Sequence, residues 1–183
     1  MPVQVRIFVG GGFDDNVTHI VESYRERYAA ANPSVTTHYY SWKRGGTIRG
    51  IIDALTPQDN VVLVGHSYGA DTAFSVVTEA ARAVDALVSI DPVGRFRPGW
   101  TAIRAKARRW LNVRAEPSEA NRTFDDTISW IGGQYPRPPV RGQAGAPDFA
   151  IIANATHGAF SPMMRASQAG VSGQSLLGGT RVN

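Results

Sequence analysis

The run Val61-Val62-Leu63-Val64-Gly65-His66-Ser67-Tyr68-Gly69-Ala70 constrains this chain more than any other part of it. Four apolar, mostly β-branched residues read as a buried strand. Gly-His-Ser-Tyr-Gly follows, and a helical pattern then begins. A serine hydroxyl is a poor nucleophile unless it is held within reach of a base. A tight strand-to-helix turn does this by lifting Ser67 above the sheet edge. Gly65 and Gly69 fit beside it because side chains there would collide with the neighbouring strand and helix.

The rest of the chain repeats the strand-then-helix order. Val3 to Val9 is a strand, stopped by Gly10-Gly11-Gly12, and Asp14 or Asp15 can cap a helix over about 16–31. Val35 to Tyr40 is a second strand by β propensity. Thr47 can cap a short helix carrying Ile48, Ile51, Ile52 and Leu55. A helix of about 69–84 follows the serine, and Ala86 to Ile90 is the next strand, ended by Asp91-Pro92. A helix near 102–109, a strand at 111–113, a last strand at 149–153 and a closing helix over 158–168 complete the series. The pattern weakens over 115–147, where Phe124, Ile128 and Ile131 could line a short helix. This alternation predicts an α/β fold, a mostly parallel sheet of about five to six strands with helices on both faces. Residues 1–168 form the expected single domain, and the Gly- and Ser-rich residues 169–183 read as a frayed tail.

Ligands in such sheets bind beyond the carboxyl ends of the strands, and the candidate chemistry falls there. A nucleophilic serine needs a base. His157 follows the last apolar run in a loop that can reach back to Ser67. His19 lies in a helix and His38 inside a strand, and His66 adjoins the serine with its side chain expected to point away from the site, as packing or hydrogen-bonding support. The base needs an acid, and Asp91 ends the strand after that of the serine; Asp148, Asp125 and Asp126 compete for this role. A developing oxyanion needs donors, for which the backbone amides of Tyr68 and Phe13 are the candidates, with Gly12 next to Phe13. Phe13, Trp42, Tyr68, Phe96, Trp100 and Trp130 could line a pocket for an acyl group.

Composition removes several classes. The chain has no cysteine, which excludes disulfides and thiolate chemistry. No run reaches the roughly 18 apolar residues of a transmembrane helix, and Met1 leads into a strand with no secretory pattern. A cytoplasmic place is the default expectation, with export lacking a cleaved signal left open. Net charge is +4, from 19 basic against 15 acidic residues. The cluster Arg104, Lys106, Arg108, Arg109 lacks interleaved aromatics and no nucleic-acid motif is present, so no nucleic-acid partner is expected; transient contact with a membrane surface is compatible with this charge.

These segments resemble the α/β-hydrolase superfamily, and within it the lipase-like serine esterases. Gly65-His66-Ser67-Tyr68-Gly69 is similar to the nucleophile elbow. Ser89-Ile90-Asp91-Pro92 resembles a strand-end acid segment, and Gly12-Phe13 resembles a His-Gly-Phe oxyanion segment with Gly11 in place of the histidine. The resemblance covers about 3–168 and implies a small esterase of minimal α/β-hydrolase fold. It implies a Ser67, Asp91, His157 triad acting on a small-molecule or lipid ester without metal or organic cofactor. A reading of another class is a non-catalytic basic binding module on the same fold.

Overall fold

The computed structural model describes residues 2–94 and 97–182. Six parallel strands form one sheet in the order β2-β1-β3-β4-β5-β6. They are β1 (Gln4–Gly10), β2 (Thr36–Ser41), β3 (Asn60–His66), β4 (Ala86–Ile90), β5 (Trp110–Ala115) and β6 (Phe149–Ala153). The chain moves from β1 outward to β2 and then returns to β3 on the other side of β1. The ends of β1 and β3 therefore border the crevice where strand order reverses, the usual ligand position in an open α/β sheet.

Strand alternation sorts the core into two layers. Val5, Ile7, Val9, Val61 and Leu63 face one side, covered by α2 (Gly45–Ala54), α3 (Tyr68–Glu79) and α4 (Trp100–Lys106) through Ile48, Ile52, Phe74, Val77 and Ile103. Phe8, Val62, Val64 and Val88 face the other. There they meet α1 (Ile20–Ala31), α6 (Phe160–Arg165) and α7 (Gly173–Leu177) through Tyr24, Tyr28, Phe160, Met163 and Leu177.

Three departures from the sequence reading have physical causes. The first helix is not continuous from residue 16. A π-turn spans Asp14–Thr18, His19 takes a left-handed φ of 48°, and α1 then starts afresh. Buried Asp14 drives this, because its carboxylate accepts from the amides of Val21 (3.0 Å) and Glu22 (3.3 Å) and so caps α1 from across the turn. Helix α3 stops at Glu79 rather than near 84. The Ala81 amide donates to Asp53 (2.8 Å), and the Val84 amide donates to the Lys106 carbonyl (2.9 Å), so tertiary partners outcompete helix propensity.

The third departure is the tail. Residues 169–182 are packed, not frayed: β7 (Ser167–Gln168) pairs with β8 (Val171–Ser172), and α7 buries Leu176 and Leu177. The Leu177 carbonyl accepts from Nε of buried Arg6 (2.7 Å) and from the Tyr28 hydroxyl (3.1 Å). Asn32 exchanges two hydrogen bonds with Thr180. Gly178 and Gly179, at φ 69° and 72°, make the turn that brings this strand of chain back. Glycine here supplies a turn, and the apolar pair before it supplies the anchor.

Deleting 169–183 should lower the unfolding free energy by more than about 3 kcal/mol, because it strips Arg6 of an acceptor and opens the core. Leu177→Ala alone should cost about 2–5 kcal/mol. Urea unfolding measures both; an unchanged midpoint in the truncated chain would contradict this packing.

Candidate active site

Ser67 sits at the carboxyl end of β3 with φ 56° and ψ −128°, a conformation L-residues rarely adopt. The strain is contained by backbone hydrogen bonds. Its amide donates to the Ile90 carbonyl (3.1 Å), and its carbonyl accepts from Ala70 (2.9 Å) and Val93 (3.2 Å). A Cβ on Gly65 would lie 2.5 Å from the Gly69 carbonyl oxygen, and one on Gly69 would enter the Val9 carbonyl. Both glycines are thus required by close backbone approach. The loop after β1 rests on the serine, since a Cβ on Gly11 would come within 2.8 Å of the Ser67 Cβ.

Three of the residues singled out in the sequence meet here. The Ser67 hydroxyl is 3.0 Å from Nε2 of His157, and Nδ1 of His157 is 2.6 Å from Oδ2 of Asp91. All three are buried. Asp91 follows β4 directly, and His157 lies four residues beyond β6. The other Asp91 oxygen accepts from the Ala115 amide (3.1 Å) and from Nε2 of Gln134 (2.9 Å). Burial works to raise the Asp91 pKa. The His157 ring outweighs it, with Gln134 and the Ala115 amide, and holds the carboxyl below its ordinary value. With Nδ1–H donating to a carboxylate, Nε2 is left to accept the serine proton. The arrangement can activate a hydroxyl.

The competing residues fall elsewhere. Asp148 accepts from the Trp110 amide (2.7 Å), at the amino end of β5 and so at the wrong edge of the sheet. Asp125 borders the cavity but is exposed. Asp126 touches His157 at its backbone amide (2.7 Å), not at its ring. His19 pairs with Glu22, and His38 stacks on Tyr40.

His66 departs from its expected orientation. It faces His157, donating from Nε2 to the His157 carbonyl (2.8 Å), with the two rings 4.9 Å apart. Burial, and then the neighbouring His157, push its pKa down to about 4. Asp126, expected only as a competing acid, and Gln134, not singled out in the sequence, support the site, while His66 gives the hydrogen-bonding support expected of it from an unexpected direction. The first carried a visible signal, since Thr123 and Asp126 have the spacing of a capping box.

A cavity of about 70 Å³ lies over the serine, lined by Gly11, Phe13, His66, Tyr68, Val93 and His157, with Ile128 and Ser129 of α5 (Phe124–Ile131) also on it. An open groove of about 780 Å³ continues past Phe13, Tyr68 and Trp42, whose ring is 5.3 Å from that of Tyr68. Of the other expected lining aromatics, Trp100 packs in the core against Phe74 and Trp110. Trp130 is exposed on a separate groove, and Phe96 lies outside the described residues. Among the described residues no cluster of metal-ligating side chains occurs, and no helix is long and apolar enough to cross a membrane.

Comparison with known proteins agrees with this architecture. Residues 7–175 match the model of the Alpha/beta hydrolase family. No curated protein matches the chain in sequence. A solved protein from Xanthomonas campestris pv. campestris, described as a hydrolase of the alpha/beta superfamily, is 18% identical with a TM-score of 0.52, over 84% of this chain and 88% of that one. A metagenomic carboxyl esterase is 16% identical with a TM-score of 0.47, over 86% of this chain. The chain spans 66% of that esterase's length. A YdeN-like hydrolase from Pectobacterium atrosepticum is 17% identical with a TM-score of 0.47, over 87% of this chain and 84% of that one. The Xanthomonas structure supports a shared fold.

The depressed His66 pKa carries a stability consequence. An unfolded chain protonates this histidine near its ordinary value of 6.5, whereas the folded chain stays neutral down to about 4. Between these values the unfolded state holds the extra proton, so stability falls as pH drops, by up to about 3 kcal/mol in total. Asp91 adds its own loss as pH falls through and below its ordinary value of 3.8. Urea unfolding at pH 7 and pH 4.5 should show the loss, and His66→Gln should remove much of it.

Proposed function

Because the chain belongs to the alpha/beta hydrolase family, we propose that it is a serine esterase that cleaves a carboxylic ester through an acyl-enzyme. The observation that carries this reading is the buried chain from Ser67 through His157 to Asp91, at 3.0 Å and 2.6 Å, beside a cavity at the strand-order switch.

In this reading the Ser67 oxygen attacks the ester carbonyl while its proton passes to Nε2 of His157. Asp91 stays ionised and stabilises the imidazolium. The tetrahedral oxyanion is held by the amides of Tyr68 and Phe13. Tyr68 opens α3, so its amide stands at a helix N-terminus, and the loop bearing Phe13 lies against the serine. Gly12 is the nearest alternative donor. Collapse expels the alcohol, which takes the proton from Nε2. Water then attacks the acyl-serine with the same histidine as base, releasing the acid and restoring Ser67. These steps use no metal or organic cofactor. The substrate is a small-molecule or lipid ester.

A fluorophosphonate should add once to the wild type and not to Ser67→Ala, as read by intact mass. The same variant should hydrolyse 4-nitrophenyl acetate about a thousandfold more slowly or worse, with its melting temperature retained. A near-normal rate would remove Ser67 from the mechanism. His157→Ala should slow hydrolysis of the same ester about a thousandfold or more, since no other group among the described residues is placed to accept the serine proton. A near-normal rate in that variant would count against histidine as base.

A further inference from the structure

Ser129 is 2% exposed, and its hydroxyl has no hydrogen-bond partner among the described residues. An unmet buried hydroxyl is costly, and native structures leave few of them without a reason. Helix formation does not call for it, since alanine is the better helix former at such a position. Nor does the hydroxyl bond back to the preceding turn, the usual refuge of a mid-helix serine. What distinguishes Ser129 is its place: it lines the cavity over Ser67, and it also lines the adjoining polar groove with Arg114, Arg122 and Gln134.

We propose that Ser129 is a specificity-determining residue, whose hydroxyl donates to an oxygen atom on the substrate's acyl group, and that the enzyme therefore takes short alkoxy-, hydroxy- or oxoacyl esters. This rests on the ester-hydrolase reading above. The cavity over Ser67, about 70 Å³, is far smaller than the groove of about 780 Å³ beside it, which favours a short acyl chain there. The alcohol must depart before water attacks the acyl-serine, so it belongs in the larger groove beside Trp42 and Tyr68. The acyl group stays through both steps and belongs in the smaller cavity over Ser67, beside α5. That space is mainly apolar, with Ile128 and Val93 on its lining; of its remaining polar groups outside the serine's own hydrogen-bonded chain, Thr18 donates to Asp14 (3.4 Å) and Asp125 is exposed, so the unpartnered Ser129 hydroxyl is the group with a bond to offer. A site built to bond a substrate oxygen rejects the analogue lacking it, because its own polar group is then left unpaired.

The test uses two isosteric esters with one leaving group, 4-nitrophenyl methoxyacetate and 4-nitrophenyl butyrate. Their intrinsic reactivities differ, but each cancels in the ratio of wild type to Ser129→Ala. The variant should lose tenfold or more in kcat/KM on the methoxyacetate and stay within about twofold on the butyrate. Its melting temperature should equal or exceed that of wild type, because the orphan hydroxyl is gone. Activity of the wild type should also collapse from butyrate to octanoate. Equal losses on both esters would assign Ser129 a structural or water-binding role and overturn the proposal, as would octanoate turnover matching butyrate. A wild type that takes the fluorophosphonate but hydrolyses neither ester overturns the acyl assignment alone. A folded wild type with neither label nor turnover overturns the esterase reading and this inference with it.

Discussion

Backbone touches backbone where α3 crosses β1, and the site depends on that contact. Gly69 carries no Cβ where the Val9 carbonyl lies, and Gly65 carries none where Gly69 and Ala70 lie. The first turn of α3 can therefore settle directly onto the sheet. Ser67 is caught between a strand that must end and a helix that must begin at once, and its φ of 56° follows from that geometry. The serine's position is thus set by main-chain packing rather than by contacts of its own side chain. Strand order does the rest, because β1 and β4 are the two neighbours of β3. The glycine loop and Asp91 arrive on either side of the serine without any long excursion.

A buried aspartate beside a buried histidine is expensive unless each polar atom is occupied. The structure meets this demand closely. Asp91 accepts from the His157 ring, Gln134 and the Ala115 amide. His157 is held at four points: both ring nitrogens, its amide on Asp126, and its carbonyl under His66. A ring held this way would have no orientation to search for in taking a proton in the proposed mechanism, which is the physical content of preorganisation. The neutrality of His66 belongs to the same design. A charged imidazole 4.9 Å from His157 would oppose any positive charge arriving there, and burial keeps it uncharged.

The parts of this arrangement legible in the sequence are those governed by local rules. Strands β1, β3 and β4 read as apolar runs ended by glycine or by Asp91-Pro92, β2 read from β propensity, β5 and β6 read from short apolar runs, and the Ser67 turn read from two glycines with a strand on one side and a helix on the other. The parts that failed are governed by distant partners. Nothing near Glu79 announces that α3 stops there; Asp53 and Lys106, far away in sequence, decide it. Gly178 and Gly179 suggested fraying, yet their positive φ turns the chain directly after Leu177, whose carbonyl accepts from Arg6. The orientation of His66 was misjudged because alternation along β3 cannot indicate where His157 will land after β6. Gln134 sits in an irregular proline- and glycine-rich stretch with no periodicity to mark it, so its bond to Asp91 is visible only in three dimensions.

Helix α5 shows how so short a chain encloses a site. Its outer side exposes Phe124, Trp130 and Ile131, while Ile128 and Ser129 turn to the cavity. Its first turn is tied by Asp126, whose Oδ2 accepts from the amide (2.8 Å) and hydroxyl (3.2 Å) of Thr123. The remaining oxygen of that same carboxylate accepts from the amide of His157. One side chain therefore fixes both the start of the roof and the loop that carries the histidine. At the other end of α5, the Tyr68 hydroxyl donates to the Gly132 carbonyl (3.1 Å), joining the roof to the residue after the serine. Roof, histidine and serine are thus referenced to one another by two hydrogen-bonded links, each made by a residue whose primary duty is local: a helix cap in one case, the first residue of α3 in the other. A cavity of about 70 Å³ is the consequence of drawing these elements so close.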